Sequence, residues 1–307
     1  MEFSLFKNIK TAYLAPKNFL EQLTDELEDV QGTHGLLVCT NRPPQTSFWV
    51  QNIWLSPKII KIQSINDAAR KLKEIQRNWS LYSCKLHRRA NLIQEKLPKI
   101  SAKPIRFPTP LPKSLLGSWT LLDSETILAS AECSSFFPNG EMHFVEDKLG
   151  PPNRAYLKLQ EALTLSKNMP QPGEFCIDAG ASPGGWTWVL YKLNTNVLAV
   201  DRAPLDCKFA NLRRVKYRKG NAFTLHPDEF KDYGVDWLFC DVACYPEKLY
   251  PWVKQWVESG VCRNMICTIK FQGKDPYALL QSFANIPKSQ IIRLFNNKHE
   301  LTWVYRQ

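Results

Sequence analysis

The chain is 307 residues long, and its formal net charge is +11 at pH 7. Apolar residues make up 44% of it, which is enough for buried cores, and this length predicts two domains. No apolar run approaches the ~20 residues of a membrane-spanning helix, which disfavours a membrane protein. The N-terminus has no long apolar core before a small-residue cleavage site, so we predict no secretory signal.

The nine cysteines are scattered through the chain and lie mostly inside apolar runs. Their number is odd, and no C-x-x-C motif is present. The spacings of Cys240/Cys244 and Cys262/Cys267 do not fit a metal site, and no matching histidine pair accompanies them. Buried free thiols in a reducing compartment are the better interpretation, so we expect a cytoplasmic protein without a structural metal.

The positive charge is concentrated in one stretch of the chain. Residues 58–113 contain 14 lysines and arginines but only three acids, whereas the rest of the chain is neutral in sum. A polyanion such as RNA is the natural partner of such a stretch. A solvated face that serves only solubility is the alternative.

The first part of the chain reads as a small α/β domain over residues 1–96. Residues 19–30 have the amphipathic pattern of a helix, and Asn18 is its predicted N-cap. Residues 66–79 predict a second helix with basic residues on its outer face. Apolar runs predict strands at 35–39, 48–55 and 59–62.

A proline-rich segment follows this domain. Residues 97–113 contain five prolines between basic residues, which predicts an extended linker rather than a helix. Residues 114–307 are predicted to form the second domain, with leading strands at 119–131 and 141–145. The sequence does not decide which domain these strands pair with.

A glycine-rich turn dominates the second domain. Residues 178–187 read D-A-G-A-S-P-G-G-W-T, between an apolar run typical of a strand and a helical pattern. Gly180, Gly184 and Gly185 have no Cβ, so a ligand can approach the main chain there. The helix start also leaves backbone N–H groups free for a carboxylate or phosphate. A tight turn that binds nothing is the alternative.

The end of the next strand bears on the kind of ligand. The apolar run 197–200 is followed by Asp201, whose carboxylate can accept both hydroxyls of a ribose. Such an acid occurs in nicotinamide dinucleotide sites and in S-adenosylmethionine sites alike. The turn lacks the G-x-G-x-x-G fingerprint, which disfavours a nicotinamide-dependent oxidoreductase.

Two later strands carry charged residues at their ends. The run 235–241 ends in Asp241, and the run 265–271 contains Lys270. A lysine in a buried strand is costly unless it is paired, which makes Lys270 a functional candidate. Sites in open parallel sheets lie at the carboxyl ends of strands, so these charges should converge on one crevice. The predicted strand ends carry Asp178, Asp201, Asp241 and Lys270.

The C-terminal part should close the sheet. A helix is predicted at 275–284, followed by strands at 290–295 and 301–306. A short turn joins these two strands, so they must be antiparallel.

The segment D-x-G-x-x-P-G-G-W that begins at Asp178 resembles motif I of the FtsJ-like ribose 2′-O-methyltransferases. Residues 154–159 also resemble the R-[AS]-x-x-K-L sequence around the first lysine of that family's catalytic tetrad. The resemblance covers residues 127–307 and is closest to the RlmM-like branch, cytidine 2′-O-methyltransferases of large-subunit ribosomal RNA. Members of that branch carry an N-terminal region with a THUMP RNA-binding domain, and residues 1–96 stand in its place.

This resemblance implies an α/β chain whose C-terminal domain is a seven-stranded, Rossmann-like methyltransferase sheet. It implies S-adenosyl-L-methionine as cofactor and ribosomal RNA as partner. The tetrad of the family falls on Lys158, Asp241, Lys270 and Glu300. The cofactor contacts of the family fall on Asn153, Gly180, Ser182, Pro183, Gly184, Gly185, Trp186, Asp201, Asn221 and Asp241.

Asn221 stands where the family usually has an aspartate that hydrogen-bonds the adenine amino group. An asparagine oxygen can accept the same bond.

The resemblance implies an S-adenosylmethionine-dependent RNA 2′-O-methyltransferase that acts in ribosomal RNA processing. We expect Lys270 nearest the 2′-oxygen and fixed by Asp241, with Glu300 and Lys158 orienting Lys270 and the ribose. We favour electrostatic stabilisation by Lys270 over proton removal. The alternatives are a non-catalytic RNA-binding or assembly factor with the same fold, and a 2′-O-methyltransferase of transfer RNA or of an mRNA cap.

Overall fold

The structure of the protein is a computed structural model that describes residues 8–100, 103–114, 116–271 and 277–307. The chain divides into two compact units. The first comprises Met1–Ile105 and Leu111–His143, and the second comprises Arg106–Pro110 and Phe144–Gln307. None of the helices in the described ranges has the length and apolarity that crossing a bilayer requires.

The first unit is an α/β structure with two sheets. Its helices are α1 (Leu20–Glu26), α2 (Ile65–Ile75) and α3 (His87–Gln94). Its strands are β1 (Thr11–Leu14), β2 (Val30–His34), β3 (Leu37–Thr40), β4 (Asn52–Leu55), β5 (Lys58–Lys61), β6 (Trp79–Leu81), β7 (Gly117–Asp123), β8 (Thr126–Ser130) and β9 (Glu132–Cys133). One sheet has the antiparallel order β2-β3-β1-β4-β9, and the other has the order β5-β8-β7-β6, in which only β6 and β7 run parallel.

Helix α2 shows how the local sequence sets an element of this unit. The Ser64 hydroxyl accepts a hydrogen bond from the Asp67 N–H (3.1 Å) and so caps its N-terminus. Ala69 and Leu72 are buried, as predicted, whereas Ile75 was predicted to face inward and is 44% exposed. The helix ends at Ile75 because the backbone of Gln76 is extended (φ −164°, ψ 174°), and the Trp79 indole beyond it donates to the carbonyl of Leu72 (2.9 Å). Trp79 therefore starts a strand instead of ending the helix.

The first predicted helix is shorter than expected. It covers Leu20–Glu26, and the N-cap is Phe19 without a side-chain hydrogen bond, so the predicted cap by Asn18 is wrong. Phe19 stacks on Trp49 with 4.6 Å between the ring centroids. Packing of this aromatic pair, rather than a side-chain cap, fixes where the helix begins.

The leading strands belong to the first unit, which differs from the predicted boundary at residue 114. Residues 119–131 form a hairpin rather than one strand, because the Asp123 carboxylate accepts the Glu125 N–H (2.7 Å) and turns the chain. Strand β7 pairs with β6, and β8 pairs with β5. Residues 141–145 form no strand. The described residues of the predicted linker, 97–100 and 103–113, contain no helix or strand.

The second unit contains one large sheet with helices. Its helices are α4 (Tyr156–Ser166), α5 (Gly185–Lys192), α6 (Pro246–Ser259) and α7 (Tyr277–Ala284). Its strands are β10 (Phe175–Ala179), β11 (Asn196–Asp201), β12 (Val215–Lys219), β13 (Val235–Cys240), β14 (Cys262–Lys270), β15 (Ser289–Ile292) and β16 (Glu300–Arg306). Residues 275 and 276, the predicted start of α7, lie outside the described residues.

The large sheet confirms the predicted seven-stranded fold. Its order is β12-β11-β10-β13-β14-β16-β15, and the first five strands in this order are parallel. Strand β16 runs antiparallel to both of its neighbours, as the C-terminal hairpin predicted. The chain order reverses between β10 and β13, and such a switch point opens a crevice at the carboxyl ends of the strands.

Candidate active site

Two lysines and two carboxylates meet at this edge of the sheet. The Lys158 Nζ lies 2.9 Å from both carboxylate oxygens of Asp241 and 3.0 Å from the Glu300 Oε1. The Lys270 Nζ lies 2.9 Å from the Asp241 Oδ1 and donates to the Asp241 backbone carbonyl at 2.6 Å. The carboxylate of Asp241 thus bridges two ammonium groups.

The sheet topology brings these four residues together. Asp241 follows the last residue of β13, and Lys270 is the last residue of the adjacent strand β14. Glu300 opens β16 and pairs in register with Lys270, because β16 is antiparallel to β14. Lys158 reaches the same place from the first turn of α4.

The structure differs from the expectation in one contact. Glu300 forms its ion pair with Lys158, whereas we expected it to orient Lys270. The side chain of Lys270 is 24% exposed, against 10–14% for the other three, so its amine is the most accessible of the four groups.

Charge pairing outweighs burial at this cluster. Burial disfavours the ammonium form of Lys158, but the carboxylates of Asp241 and Glu300 prevail, and the pKa of Lys158 is raised. Burial likewise opposes the ionised form of Asp241, but Lys158 and Lys270 hold the pKa of its carboxyl below the ordinary value. Lys158 and Asp241 are therefore charged at neutral pH.

The glycines of the turn are required by packing inside the protein. Gly180 has φ +84°, and a Cβ there would lie 2.5 Å from the Val242 Cγ2. Gly184 has φ +117°, and a Cβ there would lie 2.3 Å from the Phe209 ring. Side chains of the protein thus occupy the space next to these two glycines on the side where a Cβ would point. What the turn offers a ligand is the start of α5, which has no side-chain cap.

Asp201 stabilises the same turn. Its Oδ2 accepts the Ser182 N–H (3.0 Å), and its Oδ1 accepts the Ala203 N–H (2.9 Å). Each carboxylate oxygen has a further lone pair, so both can still accept a hydroxyl. The Ser182 hydroxyl donates to the Pro204 carbonyl (2.8 Å), and Pro183 is exposed at the tip of the turn after a cis peptide bond.

Three other predicted cofactor residues have partners within the protein. The Trp186 indole is buried and donates to the Ala155 carbonyl (3.0 Å). The Asn153 Oδ1 accepts the Ala155 N–H (3.1 Å) and lies where a Cβ on Gly185 would be. The Asn221 Oδ1 accepts the Phe223 N–H (3.2 Å) at the start of a short 3₁₀ turn. These contacts fix the positions of the three side chains.

Asp178 was predicted to lie at the crevice but was assigned neither a catalytic nor a cofactor-binding role. It is fully buried at the end of β10. Its Oδ2 accepts the Thr187 hydroxyl (2.6 Å), while its Oδ1 has no hydrogen-bond partner in the described part of the chain. Burial raises the pKa of its carboxyl to about 7, and the charges of Asp241 and Asp201 add to the shift. An unpaired buried acceptor suits a ligand that brings a donor.

Glu161 was not predicted at all. It lies one turn beyond Lys158 on α4 and is 2% exposed. Its carboxylate accepts the backbone N–H groups of Phe295 (2.7 Å) and Asn296 (2.9 Å) and the Asn296 side-chain amide (2.7 Å). The signal was present in the sequence, since an acid within an apolar helix requires a polar partner. The sequence could not identify this partner, because it lies over 130 positions away in the chain.

Comparisons with known proteins agree with this geometry. The sequence model of the FtsJ-like methyltransferase family matches residues 151–282. A protein of Halorhodospira halophila named Ribosomal RNA large subunit methyltransferase M is 31% identical over 159 residues, which cover 49% of this chain and 46% of that protein. The protein of that name from a Marinomonas species is 30% identical over 203 residues, which cover 59% of this chain and 56% of that protein.

The chain thus matches about half the length of these curated relatives. The matched residues 151–282 include the glycine turn, Lys158, Asp241 and Lys270. Residues 151–282 of the second unit, which carry most of the seven-stranded sheet, are therefore similar to the FtsJ-like methyltransferase family.

Proposed function

We propose that the protein is an S-adenosylmethionine-dependent ribose 2′-O-methyltransferase that acts on ribosomal RNA. The observation that carries the proposal is the meeting of two ammonium groups and two carboxylates within 3.0 Å at the switch point of the sheet. The names of the relatives support ribosomal RNA as the substrate. The chemistry of the cluster supports a hydroxyl as the methyl acceptor.

The crevice fits S-adenosylmethionine on three counts. The uncapped start of α5 suits a carboxylate, and the unpaired oxygen of Asp178 suits an amino group. Asp201 can accept the ribose hydroxyls while it holds the turn. Asn221 stands on the adenine side, where the resemblance to the family places the adenine contact. When bound, this cofactor supplies a methyl group that is already activated on a sulfonium.

Lys270 stabilises the negative charge that develops on the ribose 2′-oxygen. Its ammonium group has three donors, and two of them are directed at the carbonyl and carboxylate oxygens of Asp241. The third remains for the substrate. A donor fixed in advance contributes most to transition-state stabilisation, because it needs no reorganisation during the reaction.

Asp241, Lys158 and Glu300 hold this amine in place. A carboxylate beside a single lysine could rotate, whereas Asp241 is fixed from the other side by both contacts of Lys158. Glu300 balances the charge of Lys158, so the cluster is neutral in sum. The arrangement aligns the ribose and does not require Lys270 to remove a proton.

The first unit supplies RNA binding in this proposal. The basic stretch 58–113 runs largely through that unit. Basic residues bind the phosphates of RNA, so a role in RNA recognition explains this charge in the same chain as a methyltransferase domain.

The test is the single variant Lys270→Ala. Methyl transfer from radiolabelled S-adenosylmethionine to large-subunit RNA of a strain lacking this gene should fall by about 10²–10³-fold. Cofactor affinity in calorimetry should stay within a few-fold of wild type. Lys254→Ala is the matched control, since it removes an exposed lysine of the same unit that pairs only with Glu258. Near-normal transfer by Lys270→Ala would refute the role of this amine.

A separate experiment identifies the methylated atom. A 2′-O-methyl group protects the adjacent phosphodiester from alkaline cleavage, so its position can be mapped in RNA from cells with and without the gene. A protein that binds RNA but takes up no S-adenosylmethionine at millimolar concentration would instead be a non-catalytic RNA-binding factor. Asn221, in place of the family's aspartate, is the observation that keeps this second function in view.

A further inference from the structure

A cavity of about 790 Å³ is lined by described residues that all belong to the first unit. Its wall includes residues from the connection between α2 and β6, from the segment after α3, and from the turn at Phe136–Pro138. This volume is in the range of small-molecule and nucleotide sites.

The rim of the cavity is cationic. Arg77, Lys99 and Lys103 line it, and all three are exposed. None of them forms an ion pair with another residue in the described part of the chain. Glu141 is the one acid among the described lining residues, and it lies 3.5 Å from the ring nitrogen of His143. The three cations are therefore available to an anionic ligand.

Two aromatic side chains line the same cavity as these cations. Phe136 and Phe137 line the cavity and are half-buried, so part of each ring is accessible. An exposed ring next to cations is the combination with which proteins hold an unpaired base and its phosphate. Aliphatic residues of the wall, such as Ile105, add apolar surface.

The turn that carries the two rings is anchored to the unit. The Gln51 side chain donates to the Asn139 carbonyl (2.7 Å), and the Asn139 amide donates to the Leu81 carbonyl (3.3 Å). Gly140 has φ +78°, and a Cβ there would lie 2.3 Å from the Gln51 carbonyl oxygen. The wall is thus fixed before any ligand binds, which lowers the entropic cost of binding.

We infer that this cavity binds an unpaired stretch of the RNA substrate, with bases against Phe136 and Phe137 and phosphates at Arg77, Lys99 and Lys103. The inference deepens the proposed function and depends on RNA being the substrate. Base faces in a duplex are covered by stacking, so a recessed site with aromatic walls selects single strands over helices.

The test is fluorescence anisotropy with a labelled 12-nucleotide single-stranded RNA and with a hairpin of the same composition, both without cofactor. The double variant Lys99→Ala/Lys103→Ala should weaken binding of the single strand at least tenfold at 100 mM salt. It should also reduce the slope of log affinity against log salt by about 1.4, the value for two lost phosphate contacts on a single strand.

The matched control is Lys58→Ala/Lys85→Ala, which removes the same charge from exposed positions of the same unit outside the cavity. It should weaken binding less than threefold. Phe136→Ala tests the stacking and should cost at least fivefold on the single strand with little change in the salt slope. The lysine variants, which change only exposed side chains, keep the test decisive if this variant does not fold.

If both double variants lose the same affinity for the single strand, the inference is overturned, because the positive charge would then attract RNA regardless of its position. Equal affinity of wild type for hairpin and single strand would also overturn it. A different result would refute the proposed function: Lys270→Ala would retain methyl transfer, regardless of how the cavity variants change RNA affinity. Loss of the cavity effect with normal Lys270 results would leave the proposed function standing.

Discussion

The buried carboxylate of Glu161 should make the stability of the second unit depend on pH. Burial raises the pKa of Glu161 to about 7, although three N–H donors from the 295–296 segment and the charge of Arg293 favour its ionised form. The ordinary value of 4.5 applies to the unfolded chain. The folded state therefore holds this proton more tightly than the unfolded state.

The sign and size follow from this difference. The contribution of Glu161 to stability is fully present below pH 4.5 and is lost as the pH rises through about 7. A difference of about 2.5 pKa units corresponds to about 3 kcal/mol over the whole window. Between pH 5 and pH 8 the expected loss is about 2.5 kcal/mol.

The perturbation is Glu161→Gln, which has nearly the same shape but cannot ionise. Urea denaturation at pH 5 and pH 8 gives the unfolding free energy of both proteins. The wild-type value minus the variant value should fall by about 2.5 kcal/mol between the two conditions. The fixed cost of the substitution cancels in this comparison. A difference that stays constant with pH would show that Glu161 ionises at the same pH in the folded and unfolded chain.

The same variant should also affect the reaction. The segment held by Glu161 leads directly into Glu300, which pairs with Lys158. Loss of its anchors should lower methyl transfer by about tenfold with little change in cofactor affinity, because it disturbs alignment rather than binding.

Two further predictions concern the glycine turn and strand β10. Gly180→Ala should destabilise the protein by about 2–4 kcal/mol in urea denaturation, from its positive φ and from overlap with Val242. Gly173→Ala also has a positive φ but no atom within 4 Å of its Cβ, so it should cost about 1–2 kcal/mol, and equal losses would exclude the overlap. In the wild type, ionisation of Asp178 should lower the unfolding free energy as the pH rises through about 7, and Asp178→Asn should remove this loss. If wild type and variant lose stability equally over this pH range, the raised pKa of Asp178 is contradicted.

Periodicity and local motifs predicted the second unit well. Four of the five parallel strands, β10, β11, β13 and β14, contain apolar runs, whereas β12 is basic and exposed. An apolar run that ends in a charged residue marks both the strand and its carboxyl end. Asp241 and Lys270 could therefore be placed at one edge before any coordinates were available. The short turn before residue 301 required an antiparallel last pair, and the sheet confirms it.

The predictions that failed concern elements whose position depends on a residue distant in the chain. The residues of β7 and β8 are apolar enough to suit either unit, and only their pairing with β6 and β5 assigns them to the first. Helix α1 begins next to Phe19, whose ring stacks on Trp49. Capping rules use only neighbouring residues, so they cannot predict this contact.

The candidate site divides in the same way. The sequence by itself determined which residue types stand at the strand ends and in the glycine turn, because burial and backbone geometry constrain those positions locally. Only the tertiary structure decided that Glu300 pairs with Lys158, that Glu161 holds the segment before Glu300, and that Phe136 and Lys99 line one cavity. These contacts depend on strand register and helix packing, which join residues far apart in the chain and leave no local pattern in the sequence.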